Sequence, residues 1–132
     1  MSNNIFDKDN KLMMSAPYII AEAGVNHEGS LKKAYKLIDF AKKGGADAIK
    51  FQTYKAEKLV IKNSPAYWDI KKEKTKNQFD LFKKYDHFEK EDYVKLYRHC
   101  VKKKIDFLST PFDNESVDFL NPLMKYFKIA SA

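Results

Sequence analysis

Arginine is almost missing from this chain: of its 25 basic residues, all but Arg98 are lysine. The planar guanidinium fork is the group that reads bases and clamps phosphates bidentately. Its scarcity argues against a nucleic-acid footprint even though the formal net charge is +7. Cysteine is as scarce. Cys100 stands alone, so no internal disulfide can form, and a reducing cytoplasm is the expected compartment. Four glycines and four prolines exclude collagenous and low-complexity material. No apolar run approaches the roughly 18–20 residues of a membrane span, so no membrane partner is expected. The first residues, MSNNIFDKDNKLMMSAPY, lack the basic-then-apolar order of a secretory signal. What is present is ordinary for one globular domain: 132 residues, 44% hydrophobic and 14% aromatic, enough to bury a core.

Residues 1–16 are polar and unpatterned and read as a flexible arm, with one domain over 17–132. Tyr18-Ile-Ile-Ala-Glu-Ala23 is too short for a helix and fits a strand buried on both faces, ending at Gly24. Ser30 has the chemistry of a helix N-cap. Leu31, Ala34, Tyr35, Ile38 and Ala41 follow at helical spacing until Gly44-Gly45 ends the run. Ala48–Gln52 is a second strand, so the opening is a βα unit closed by a parallel strand. Residues 53–75 have no period, and a connection this long inside a compact domain is often functional. A short helix is expected over about 76–84. A clearer one carries Tyr93, Leu96, Tyr97, Cys100 and Val101 as one stripe. Asp106–Thr110 is a third strand stopped by Pro111, Asp113 or Asn114 caps a further helix, and Tyr126–Ala130 is expected as a fourth strand.

This order is shared by open doubly wound sheets and (β/α)8 barrels. Neither G-x-G-x-x-G nor G-x-x-x-x-G-K-[ST] is present, which argues against a dinucleotide or P-loop site. In either fold ligands gather at the carboxyl ends of the strands, and here those ends are polar. They carry Glu22, Asn26 and His27, then Lys50 and Gln52, then Ser109 and Thr110, then Lys128 and Ser131. A lysine inside an apolar parallel strand is costly unless an anion or acid accompanies it. Lys50 and Lys128 with the hydroxyls of Thr110 and Ser131 would suit a phosphate or carboxylate, with Glu22 as acceptor or base. The alternative is structural: Lys50 pairs with Glu22 across neighbouring strands, and Lys128 points outward. His87, His99 and Cys100 lie on or between helices, where packing or surface roles are expected.

Four stretches, Ile20-Ala-Glu-Ala-Gly-Val-Asn-His-Glu-Gly-Ser-Leu31, Gly45-Ala-Asp-Ala-Ile-Lys-Phe-Gln-Thr53, Leu108-Ser-Thr-Pro-Phe-Asp113 and Lys128-Ile-Ala-Ser131, together resemble the N-acetylneuraminate (sialic acid) synthase family. That family includes the legionaminic and pseudaminic acid synthases. The resemblance implies a TIM (β/α)8 barrel. It also implies an enzyme that condenses phosphoenolpyruvate with an N-acetylated amino sugar such as N-acetylmannosamine and releases phosphate. A divalent metal, Mn or Mg, would polarise the sugar aldehyde. By the same resemblance Lys50, Thr110, Lys128 and Ser131 hold phosphoenolpyruvate, Gln52 touches substrate, and Glu22 stands near the reacting sugar. Asn26 and His27 shape the loop.

The resemblance further implies that the chain is the N-terminal half of such a barrel, cut after strand four. The metal-ligating histidines would lie outside it, so no residue here is expected to bind metal. The complete protein is expected to be a homodimer. Alone, the chain is expected not to turn over. A non-catalytic reading stands beside the enzymatic one: a truncated or split fragment that binds phosphoenolpyruvate weakly or needs a complementing half.

Overall fold

The computed structural model describes residues 17–131. The expected flexible arm at 1–16 lies outside them, as does Ala132. The elements are β1 (Ile20–Gly24), α1 (Leu31–Lys43), β2 (Ala48–Thr53), α2 (Ala56–Leu59), α3 (Gln78–Tyr85), α4 (Lys90–Lys103), β3 (Asp106–Pro111) and α5 (Asn114–Leu120), followed by a 3-10 turn at Asn121–Leu123. The three strands form one parallel sheet in the order β1-β2-β3. The α/β class read from the sequence is therefore present.

Local chemistry sets the helix ends. The Ser30 hydroxyl accepts the Lys33 N–H at 3.3 Å, which satisfies one of the donors left free at the start of α1. The Gly44 N–H closes the other end on the Phe40 carbonyl at 2.8 Å. Asn77 starts α3 by accepting from Asp80 N, and Asp113 starts α5 by accepting from Ser116 N. Each is a short polar side chain with extended backbone, the arrangement an N-cap needs.

Alternation along the strands gives the sheet two unlike faces. Ile49 and Phe51 of β2 and Phe107 of β3 enter a core with Ala34 and Ile38 of α1 and with Tyr93, Leu96 and Cys100 of α4. Full burial of side chains such as Ile38 and Leu96 contributes about 1.5–3 kcal/mol each. The two helices are also pinned at their rim, where Asp39 accepts from both His99 Nε2 and Lys103 Nζ at 2.9 Å. Cys100 is fully buried in this layer, and burial pushes its thiol up to about 12. Val101, placed on the same stripe by spacing, faces solvent instead. The stripe at 93, 96, 97, 100 and 101 is wider than the face that α1 and β3 can cover.

The connection expected to be irregular is partly built. It contains α2, and an antiparallel bridge between Pro65 and Asn77 pinches a loop shut. The fourth strand, Tyr126–Ala130, is not formed: residues 124–131 have no sheet partner, and the described sheet has three strands rather than four. A strand is held by a ladder on its edge and a layer over its face, and this segment has neither. Ile129 is 78% exposed, and the Lys128 ammonium turns back to the carbonyl of Ile129 at 2.5 Å. Only the start of the segment is anchored. There Lys125 pairs with Asp106 at 3.0 Å, and Tyr126 packs edge-on against Tyr18, whose hydroxyl donates to Asp106 at 2.7 Å. No helix among the described residues is long and apolar enough to cross a membrane.

Candidate active site

Parallel register brings the polar strand residues together. Glu22 of β1 stands opposite Lys50 of β2, and Gln52 of β2 stands opposite Thr110 of β3. Glu22, Lys50, Gln52 and Thr110 thus share the sheet face turned away from α1 and α4, at the carboxyl ends of the strands. The Lys50 ammonium lies 2.5 Å from Glu22 Oε2 and donates to Thr110 Oγ1 at 3.4 Å. Its side chain is 13% exposed while that of Glu22 is 49% exposed, so the pair has a buried cation and a carboxylate open to solvent. The cross-strand pair of Lys50 with Glu22 that the sequence allowed is present. Within this pair the cation is the desolvated partner and the carboxylate the hydrated one.

Gly24 keeps this site open. It sits at φ +52, a left-handed conformation that L side chains rarely adopt, and a Cβ there would come within 3.3 Å of Glu22 Oε1. The β1–β2 register shifts between Glu22 and Gly24, so the strand bends where the turn to α1 begins. Within that turn His27 is buried and stacks on Phe88 with ring centroids 4.1 Å apart. Its Nδ1 accepts the Gly29 N–H at 3.1 Å. Burial, helped by nearby His87, lowers its pKa to about 4, so the ring is neutral and the acceptor is retained. This is the loop-shaping role expected of His27. Asn26 contributes its backbone, donating from its N–H to the Ala23 carbonyl at 3.0 Å.

Two groups that brace the elements around this site have no motif in the sequence. The Tyr93 hydroxyl donates to the Gln52 carbonyl at 2.8 Å and ties the start of α4 to the end of β2. Asp86, between α3 and α4, accepts the Ala56 N–H at 3.0 Å and faces the Lys55 ammonium at 3.3 Å. The only signal for Tyr93 was its place on an apolar stripe, and an aromatic with a polar tip needs a partner when buried.

Lys128 and Ser131 are not brought to this group: both are exposed in the unpaired segment, as the outward alternative for Lys128 anticipated. Among the described residues no group of three or more His, Cys, Asp or Glu side chains could hold a metal ion, and the one site carboxylate, Glu22, is engaged by Lys50. The residues described do not fit a divalent cation. A cleft of about 310 Å³ does exist, lined by Lys58, Tyr93, Asp113 and Glu115 among others, but it contains none of Glu22, Lys50 or Thr110.

A parallel α/β sheet with its charged and hydroxyl groups at the carboxyl strand ends defines the class as an α/β protein built on a strand-end site. More particularly, the chain belongs to the NeuB family, whose description matches residues 37–132. It is 44% identical over 121 residues to the N,N'-diacetyllegionaminic acid synthase of Campylobacter jejuni, an alignment covering 89% of this chain and 36% of that protein. It is 42% identical to the synthase of the same name from Legionella pneumophila, over 86% of this chain and 33% of that one. In structure it is similar to the N-acetylneuraminic acid synthetase of Leptospira borgpetersenii, with a TM-score of 0.72 and 34% identity over 87% of this chain and 36% of that one. The chain spans about a third of the length of the curated relatives it matches.

Proposed function

We propose that this chain is the phosphoenolpyruvate-binding part of a nonulosonic (sialic) acid synthase, its three strands being the first of a (β/α)8 barrel in a cytoplasmic enzyme. The observation that carries the reading is the Lys50 ammonium held between Glu22 and Thr110 at the strand ends of a NeuB-family chain. Phosphoenolpyruvate presents a carboxylate and a phosphate. Lys50 supplies a desolvated point charge to one of these anions and Thr110 a hydroxyl donor. As the anion arrives, Glu22 is released from Lys50 and becomes free to accept a hydrogen bond from the second substrate, an N-acetylated amino sugar. Gln52, held at its carbonyl by Tyr93, offers an amide to the same face.

In the reaction so proposed, carbon 3 of phosphoenolpyruvate attacks the sugar aldehyde. Water adds at carbon 2, its first proton going to the alkoxide formed from the aldehyde. Phosphate departs by cleavage of the carbon 2–oxygen bond, taking up the second proton as the ketone forms. The residues described contribute binding and orientation to these steps. Lys128 and Ser131 join the site, on this reading, when their segment pairs along the free edge of β3. The complete protein is read as a homodimer.

A second reading has its own support. The described sheet leaves β1 and β3 each unpaired on one side, as expected of a binding fragment that needs a complementing half. Calorimetric titration separates the possibilities. Phosphoenolpyruvate should bind the chain, and Lys50→Ala should weaken binding at least tenfold, whereas unchanged affinity would remove Lys50 from the site. Incubation with phosphoenolpyruvate, N-acetylmannosamine and manganese should yield no nonulosonic acid. Product formed by the purified chain would overturn the fragment reading.

A further inference from the structure

The loop that follows β2 carries a concentration of charge that neither its own fold nor the strand-end group uses. Its frame is well built. Pro65 bridges Asn77, the Gln78 N–H reaches the Ser64 carbonyl at 3.0 Å, and the Trp68 indole N–H is shared between the carbonyls of Glu73 and Thr75, both at 3.2 Å. The two carboxylates between Lys62 and Lys76 are already engaged. Asp69 accepts the Lys71 N–H at 2.9 Å, while Glu73 accepts from Thr75 at 3.1 Å and pairs with Lys84 at 2.9 Å.

This leaves Lys62, Lys71, Lys72, Lys74 and Lys76 exposed, and among the described residues none of the five ammonium groups has a carboxylate partner. Like charges crowded into 15 residues repel one another and cost stability. The loop gains nothing from them, since its hydrogen bonds run through Trp68, Thr75, Gln78 and backbone groups. Elsewhere on the surface, Lys33, Lys58, Lys83, Lys90 and Lys95 each have an acidic partner. Lys32, Lys36, Lys43, Lys102 and Lys104 have none among the described residues, but they are spread along α1 and the end of α4 rather than gathered in one loop.

Position gives the cluster a use. The loop departs from β2 one residue after Gln52, at the carboxyl end of the sheet. Its Glu73–Lys84 pair anchors it to α3, and the chain leaving α3 packs on the turn after β1. There Phe88 stacks on His27, and His87 lies so close to Gly29 that a Cβ on that glycine would meet its ring at 2.6 Å. The lysines therefore stand on the same end of the sheet as Lys50 and Thr110.

We propose that Lys62, Lys71, Lys72, Lys74 and Lys76 form an electrostatic collector that draws a small multivalent anion bearing phosphate and carboxylate toward Lys50. This rests on the phosphoenolpyruvate reading above. The collector acts at a distance through the local potential and does not touch the bound anion, so its contribution must vanish as salt shortens the screening length from about 30 Å at 0.01 M to about 3 Å at 1 M.

The test uses the 132-residue chain and phosphoenolpyruvate as probe, titrated at low and high ionic strength. The variant is Lys71→Glu/Lys72→Glu/Lys74→Glu/Lys76→Glu, with Lys50→Ala alongside and circular dichroism to verify folding. At low salt the quadruple variant should bind about tenfold or more weakly than the unaltered chain, and near 1 M salt the two should converge. Lys50→Ala should bind weakly at both. Equal affinities and equal salt dependence for the unaltered chain and the quadruple variant would overturn the collector while leaving the Lys50 site standing. A deficit that persists at 1 M salt would also overturn it, since the lysines would then be direct ligands. Failure of the unaltered chain to bind at any salt overturns both readings. If the quadruple variant misfolds, neutral Gln at the same four positions replaces Glu and should give the same convergence with a smaller low-salt gap.

Discussion

At the scale of single residues, the most informative group is His27, because its environment fixes its protonation. A ring buried against Phe88 and held near a pKa of about 4 stays neutral in the folded state, while the same ring in the unfolded chain takes a proton near 6.5. As pH falls below about 6.5 the unfolded state gains a proton that the folded state refuses, so stability declines until the folded ring also titrates near 4. The loss should amount to roughly 3 to 4 kcal/mol at most, at about 1.36 kcal/mol per pH unit between 6.5 and about 4. Urea unfolding between pH 5 and 7 would show it as a falling midpoint, and His27→Phe should flatten that dependence. An NMR titration placing His27 at its ordinary value would refute the account. The residue scale is also where the sequence said most about the site. A lysine and an acid in apolar strands had to meet something, and Lys50 does meet Glu22 and Thr110. It could not disclose Tyr93, because a hydroxyl reaching a backbone carbonyl leaves no pattern in residue types.

At the scale of elements, caps and stripes were legible and pairing was not. Ser30, Gly44 and Asp113 terminate helices where their chemistry says they should, since a cap is decided within three or four residues. Ser30→Ala should therefore lower stability by about 1 kcal/mol, read as a shifted urea midpoint with unchanged slope. A change in slope would mean that more than the cap was lost. The segment Tyr126–Ala130 shows the converse. Its apolar residues satisfy the composition of a strand, yet a strand exists only beside another, and that condition is not local. The same holds for Lys128 and Ser131, whose residue types fit an anion site while their segment lies unpaired.

At the scale of the whole molecule, the described sheet pairs β1 and β3 on one side only, so both leave a row of backbone donors and acceptors on the other. Exposed Tyr126, Phe127 and Ile129 lie in the unpaired segment just after the 3-10 turn. Concentration-dependent association is the expected behaviour, visible in sedimentation velocity, and Phe127→Lys/Ile129→Lys should reduce it by adding charge where apolar surface is exposed. If the doubly charged variant associates as strongly as the unaltered chain, the segment is not the sticky element. The parallel sense of β1 and β2 followed from the sequence, because a helix between two short apolar runs leaves few topologies, whereas the β1-β2-β3 order comes from the structure. The layer over the polar face of the sheet did not, since nothing in residues 17–131 is obliged to supply it.

Cys100 offers an unplanned instrument. The solitary thiol lies fully buried between the helices and the sheet, with its ionisation pushed up to about 12, so an alkylating reagent meets neither an accessible sulfur nor a thiolate while the fold is closed. Modification must wait for the core to part, and the rate at which a single label is acquired becomes a clock of that opening. With no second cysteine to confuse the count, the chain can be timed in dilute solution, in mixtures or with a complementing partner, and any ligand that holds the fold shut will slow the clock.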